Sequence, residues 1–238
     1  MQNWKRSSRR SAKVNEMLLA VLDGARKRPS LTGERATCPV CDGEVLSRCG
    51  EINVWHWAHR AVTNCDPWME AESEWHAHWK SLVPQGWIEV VIEKEGNRRC
   101  ADIQLPNGLV IKLQRGPLSP KHIRDYEGFF GRMIWIFDVR DSINTTDAIG
   151  TSRLDLRKKE MSEFAKKLHG FKNTPNSYRS FRWKHPKKHI AFATRRVFLD
   201  IGENHVFRMD KLYTERPAGG FGFLFPIEAL VAWFHKQG

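Results

Sequence analysis

Apolar positions in this chain come in short runs divided by turn residues, a pattern that predicts alternating helices and strands. "VNEMLLAVLDGARK", residues 14–27, has apolar positions at helical spacing and predicts a short helix behind a basic arm. "CDPWMEAESEWHAHWKSLVP" predicts a longer helix, with Asp66 as N-cap, Pro67 at the first helical position and Pro84 as its stop. Trp75, Trp79 and Leu82 fall on one face of it. Three strand-like segments follow, "WIEVVIE", "RRCADIQL" and "LVIKLQ", the last two joined by the turn signal "PNG". "SPKHIRDYEGFF" predicts a helix capped by Ser119, and "MIWIFDV" is apolar throughout, as a central strand is when both its faces are buried.

Beyond residue 140 the chain turns polar, with one helix expected in "RKKEMSEFAKKLHGF". "RRVFLDIG" and "HVFRMDKLY" read as strands. "PAGGFGF" reads as a glycine-rich connection into a terminal helix, "PIEALVAWFHKQ". The expected organisation is an arm and helix over 1–35, a Cys/His-rich module over 36–66, and an α/β core over 67–140. A helical linker and a small α+β appendage complete it over 141–238.

Charge changes the picture next. The chain holds 39 Lys and Arg against 27 Asp and Glu, a formal net charge of +12, which points to a polyanionic partner, nucleic acid first. A basic surface kept for solubility is the bland alternative. No apolar run approaches the roughly 18 residues of a membrane span, so no membrane partner is expected. "MQNWKRSSRRSAK" lacks the apolar stretch of an export signal, and five cysteines are an odd number for a disulfide framework. The expected location is cytoplasmic.

The cysteines carry candidate chemistry instead. "CPVC" sets Cys38 and Cys41 two residues apart, the spacing that lets one tight turn aim both thiolates at one tetrahedral metal. With His59 and Cys65 they make a Cys3His set suited to structural zinc; His56 is the alternative histidine. A redox CxxC or ordinary reduced core cysteines are the competing assignments. Cys49 and Cys100 read as plain buried residues.

Asp102 lies on the first strand of the "ADIQLPNGLVIKLQ" hairpin. Lys112 and Gln114 lie two apart on the second and so share a face. An acid on one strand and polar groups on the next, with Glu74 on the preceding helix, is an arrangement that can hold Mg²⁺ or Mn²⁺ beside a phosphodiester. A surface-facing hairpin explains the same residues without chemistry. Arg115, Lys121, His122 and Arg124 are candidate phosphate contacts, as are Arg182 and Lys184 in "YRSFRWKHPKK", where cations alternate with aromatic residues. A solvated linker with its aromatics tucked inward is the alternative for that last segment.

The order of motifs "CPVC", "GEINVWHWAH", "CDPWMEAESEWHAHWK", "ADIQLPNGLVIKLQ" and "PLSPKHIRDYEGFFGRMIWIFD" resembles the CoiA-like family of competence-protein nucleases from about Cys38 to Asp138. "RWKHPKKHIAFATRRVFLDIGENHVFRMDKLY" is similar to the tail common in that family. The resemblance implies a PD-(D/E)xK, restriction-endonuclease-like core behind a zinc-binding segment, with DNA as substrate. It implies that Glu74 and Asp102 hold a catalytic Mg²⁺ or Mn²⁺, that Gln114 is the last polar position of an E-x-Q pair, and that His76 and Lys80 are supporting polar positions. Three residues depart from the family: Lys112 where Glu is usual, Gly116 where Ser is usual, and Tyr126 where Arg is common. An ammonium at 112 removes a metal ligand and places positive charge at the metal position, with a salt bridge to Asp102 as one consequence. The chain is then an inactivated nuclease, a natural nuclease-derived DNA-binding accessory protein, or an enzyme in which Glu93 or Glu95 supplies the lost ligand. A third class, a zinc-module protein whose basic faces bind another protein, is the weakest alternative.

Overall fold

Three tight turns explain much of the strand layout. Asp23–Gly24, Glu95–Gly96 and Glu203–Asn204 are pairs with φ near +50 to +73° at both positions. Two consecutive residues of positive φ make the turn whose twist matches antiparallel strands, so each pair closes a hairpin. The first corrects the helix expected over 14–27, because Asp23–Gly24 folds that segment back on itself as strands. In the computed structural model the described residues are 16–60, 65–66, 70–142, 154–173, 175–184, 187–215 and 218–237. The basic arm expected at the N-terminus lies outside them.

The chain divides into two units, Met1–Trp79 with Val91–Cys100, and Lys80–Val90 with Ala101–Gly238. The first contains β1 (Glu16–Met17), β2 (Ala20–Leu22), β3 (Ala25–Lys27), β4 (Arg35–Thr37), β5 (Glu44–Arg48) and β6 (His56–His59), in one sheet of order β1-β6-β5-β4-β2-β3. Met17, Ala20, Val45 and Trp57 form its core with Cys38, Cys65 and Cys100. Helix α1 (Glu74–Ser81) begins well after the predicted cap. Ser73 holds its start, its Oγ accepting from the His76 amide at 3.4 Å. Asp66 instead accepts the Cys100 amide at 2.9 Å.

β7 (Ile88–Lys94) and β8 (Asn97–Gln104) run through both units. In the second, β9 (Val110–Gln114), α2 (Pro120–Phe130) and β10 (Met133–Asp138) form a strand–helix–strand crossover, with β9 and β10 parallel. Ser119 caps α2 through the His122 amide at 3.2 Å, Pro120 opens it, and Gly131 at φ 69° ends it. Ile123, Tyr126, Glu127 and Phe130 make its buried face.

The remaining elements are β11 (Leu154–Lys158), α3 (Glu163–His169), β12 (Tyr178–Trp183), β13 (Arg196–Gly202), β14 (His205–Tyr213), β15 (Ala218–Pro226) and α4 (Ile227–Lys236). They do not form a separate appendage. β13 pairs in parallel with β10, register Ile136 to Phe198, and the sheet order is β11-β12-β15-β14-β13-β10-β9-β8-β7. The glycine-rich connection is strand β15. A Cβ at Gly220 would meet the Lys211 carbonyl and one at Gly222 the Arg208 carbonyl, so the glycines let neighbouring backbones close together. The helix expected from residue 157 is confined to α3, since Arg157 and Lys158 end β11.

Candidate metal centre and hairpin site

The "CPVCDG" turn is built around the Cys38 backbone and sulfur. The Cys38 amide donates to the Gly43 carbonyl at 2.8 Å, the Asp42 amide donates to the Cys38 carbonyl at 3.0 Å, and the Val40 amide points at Cys38 Sγ at 3.4 Å. Asp42 takes φ 59° to close the loop. β5 and β6 then bring His59 opposite Val45, with His59 Nε2 3.2 Å from Cys41 Sγ. Cys38 Sγ and Cys65 Sγ are 3.7 Å apart, and the ligand atoms of Cys38, Cys41, His59 and Cys65 all lie within 4.8 Å of one another.

Those separations suit a tetrahedral ion. Metal–sulfur bonds of about 2.3 Å place two thiolates roughly 3.8 Å apart across a tetrahedral edge. The donor set, three sulfurs and an imidazole, matches zinc by softness and number, so the cluster could hold a metal such as zinc. The thiols already share their protons unequally: the bond from Cys38 brings the Cys65 thiol down to about 4 against the opposing effect of burial, while the same bond and burial push Cys38 up. His56 belongs elsewhere, its Nδ1 2.7 Å from the Val54 carbonyl and its Nε2 3.7 Å from Glu16. Cys100 is buried in the core outside the cluster, and Cys49 is half-buried rather than buried.

The hairpin places Asp102 against Lys112. Lys112 Nζ donates to Asp102 Oδ2 at 2.6 Å, and the Leu113 amide donates to the same oxygen at 2.9 Å. Lys112 is 2% exposed, and its ammonium sits 5.3 Å from the centre of the Tyr126 ring. Gln114 is fully buried and donates from Nε2 to the Gly116 carbonyl at 2.9 Å. Lys80 is also buried, and its Nζ donates to Glu89 Oε1 at 2.7 Å. Lys80, Asp102, Lys112 and Gln114 belong to the second unit; Glu74 and His76 belong to the first. Glu74 opens α1 and is exposed, while His76 is buried with Nδ1 2.8 Å from Ser73 Oγ and Nε2 3.5 Å from Glu70.

Residues 26–67 match the family model described as competence protein CoiA, N-terminal domain. The match supports a CoiA-like chain. It spans the CxxC turn, His59 and Cys65, so the metal cluster falls inside the matched segment. No curated protein and no solved structure gives a significant match.

Among the candidate phosphate contacts, Arg115, Lys121, Arg124, Arg182 and Lys184 are all exposed. Lys121 pairs with Asp125 at 2.6 Å along α2, and Arg115 lies 3.5 Å from Asp138. The aromatic residues between the cations of "YRSFRWKHPKK" do not form a stacking surface. Tyr178, Phe181 and Trp183 are buried, in a strand, β12, that pairs with β11 on one side and β15 on the other.

One group of consequence gave no sequence signal. Glu127 is buried and accepts from Trp135 Nε1 at 2.9 Å, the Thr194 amide at 2.9 Å, the Arg195 amide at 3.0 Å and the Thr194 hydroxyl. Burial alone would raise its carboxyl, yet these donors hold it below the usual range. An acid inside an amphipathic helix pattern reads as surface, and three of its four donors come from residues more than sixty positions away.

Proposed function

We propose that this CoiA-like chain is a DNA-binding protein built on a nuclease-type PD-(D/E)xK hairpin whose metal site is replaced by an ion pair. The observation that carries the reading is the 2.6 Å contact from Lys112 to Asp102. An ammonium on that oxygen stands in for the divalent cation that the family resemblance would place there, and the Leu113 amide takes a further acceptor position on the same oxygen. A cation brought to the same carboxylate would face Lys112 at close range in a buried setting, which opposes its binding.

The second departure supports the first. Tyr126 presents its ring to the Lys112 ammonium, an attractive contact, whereas an arginine in its place would repel it. Lysine and tyrosine together make a consistent replacement of the glutamate and arginine usual in the family. This favours a natural binding protein over a single inactivating change. DNA then binds through the exposed cations Arg115, Lys121, Arg124, Arg182 and Lys184, which neutralise phosphates while the ion pair stabilises the hairpin beneath. Zinc, held by Cys38, Cys41, His59 and Cys65, supplies a cross-link within the first unit and takes no part in chemistry.

The test incubates the chain and K112E with single-stranded and duplex DNA, with Mg²⁺ or Mn²⁺. Expected are salt-sensitive binding by both proteins and no cleavage by the unaltered chain. Metal-dependent cleavage by the unaltered chain would sink the reading. Absence of salt-sensitive binding would favour the protein-interaction class instead.

A further inference from the structure

An aromatic face of the second unit lies beneath α4 and takes no part in the hairpin site. Phe198, Arg208 and Phe223 stand opposite one another across β13, β14 and β15 and therefore share a face. The Arg208 guanidinium carbon lies 4.7 Å from the centre of the Phe223 ring and 5.9 Å from that of Phe225. Asp210 fixes the fork from the side, accepting from Arg208 Nε at 2.8 Å and from Nη2 at 3.1 Å.

α4 covers this face incompletely. It is anchored by Ile227, Leu230 and Phe234, which are buried, while Trp233 remains half-buried. A cavity of about 260 Å³ is lined by Phe198, Phe225, Leu230 and Trp233, with Arg196 and Arg208 as its charged groups. Pockets for drug-sized ligands run from roughly 300 Å³ upward, so this one suits a single planar ring system. No carboxylate lines it. Arg196 is exposed and makes no ion pair among the described residues. It also borders a second groove, of about 570 Å³, whose charged lining adds Arg195 and Lys211 together with one carboxylate, Asp210.

Aromatic walls alone fit many occupants. An aromatic slot whose charged groups are guanidinium, and which shares Arg196 with a groove of net positive lining, selects a ring attached to an anion. On a chain of net charge +12 the occupant with that chemistry is a nucleotide. We propose that the slot beneath α4 takes one unpaired base of single-stranded DNA, stacked on Trp233 and Phe225, with the flanking phosphate held by Arg196. This rests on the DNA-binding reading and adds to it a strand preference that exposed cations alone do not supply.

The test compares the full chain's affinity for a short oligothymidylate with its affinity for an abasic strand of equal length and charge. Base stacking predicts that the thymidine strand binds roughly 5- to 100-fold tighter. Trp233→Ala is expected to bring that ratio to near one and leave abasic-strand affinity unchanged, while Trp233→Phe keeps most of the ratio and shows that α4 still folds. Equal binding of both strands by the unaltered chain, or a ratio that survives Trp233→Ala, overturns the slot and leaves the DNA-binding reading standing. Failure to bind either strand overturns both.

Discussion

A lysine buried to 2% exposure is stable only while its partner is in place, which makes the Lys112–Asp102 contact sensitive to single changes. Replacing Lys112 by Met leaves Asp102 charged and hardly exposed, and is expected to cost about 3 kcal/mol in urea denaturation. Adding Asp102→Asn should recover a large part of that loss, and a double variant no more stable than the single one would show that the pair is not the source. Glu127 gives a prediction in pH. Its carboxyl is held below its ordinary value of 4.5, so its contribution is present above about that pH and is lost as pH falls through the lower folded value. The stability gap between the unaltered chain and Glu127→Gln should therefore be widest near neutral pH and narrow in acid; a gap independent of pH would contradict it. The Lys112–Asp102 pairing was legible because strand alternation and a short turn bring those positions together locally. Glu127 was not, since Thr194 and Arg195 come from a distant part of the chain.

At the level of elements, strands with apolar alternation and capped helices could be read from sequence: β13, β14, α2 and α4 fall where their patterns place them. Two of the departures turn on glycine. Asp23–Gly24 sits among apolar positions at helical spacing although that dipeptide favours a hairpin, and the glycines of β15 look like a loop until the neighbouring carbonyls are known. Gly222 and Gly128 should accordingly respond with opposite signs. Gly222→Ala sets a methyl against the Arg208 carbonyl and the Phe207 ring and is expected to lower stability by about 2 kcal/mol or more. Gly128 lies inside α2 with open space around it, so Gly128→Ala should raise stability by roughly 0.5 to 1 kcal/mol. Thermal melts of the two variants check both arms.

For the molecule as a whole, the cysteine spacing was informative because one CxxC turn and one nearby strand assemble most of the cluster. Metal analysis is expected to find one zinc per chain, and a chelator should lower the melting temperature; a purified chain without zinc, or one indifferent to chelation, would refute the assignment. Among the described residues no helix is long and apolar enough to cross a membrane. The sequence was least informative about where the chain divides. A boundary near residue 140 follows from the shift to polar composition, but β10 lies between β9 and β13, and β13 arrives only after residue 195. The pairing of β10 with β13 therefore bears on how the protein can be handled. A fragment ending near residue 142 would leave "MIWIFD" as a bare outer strand, uncharged up to its final aspartate and rich in residues that favour intermolecular pairing. Shortened versions cut at that natural-looking boundary are expected to accumulate as insoluble material.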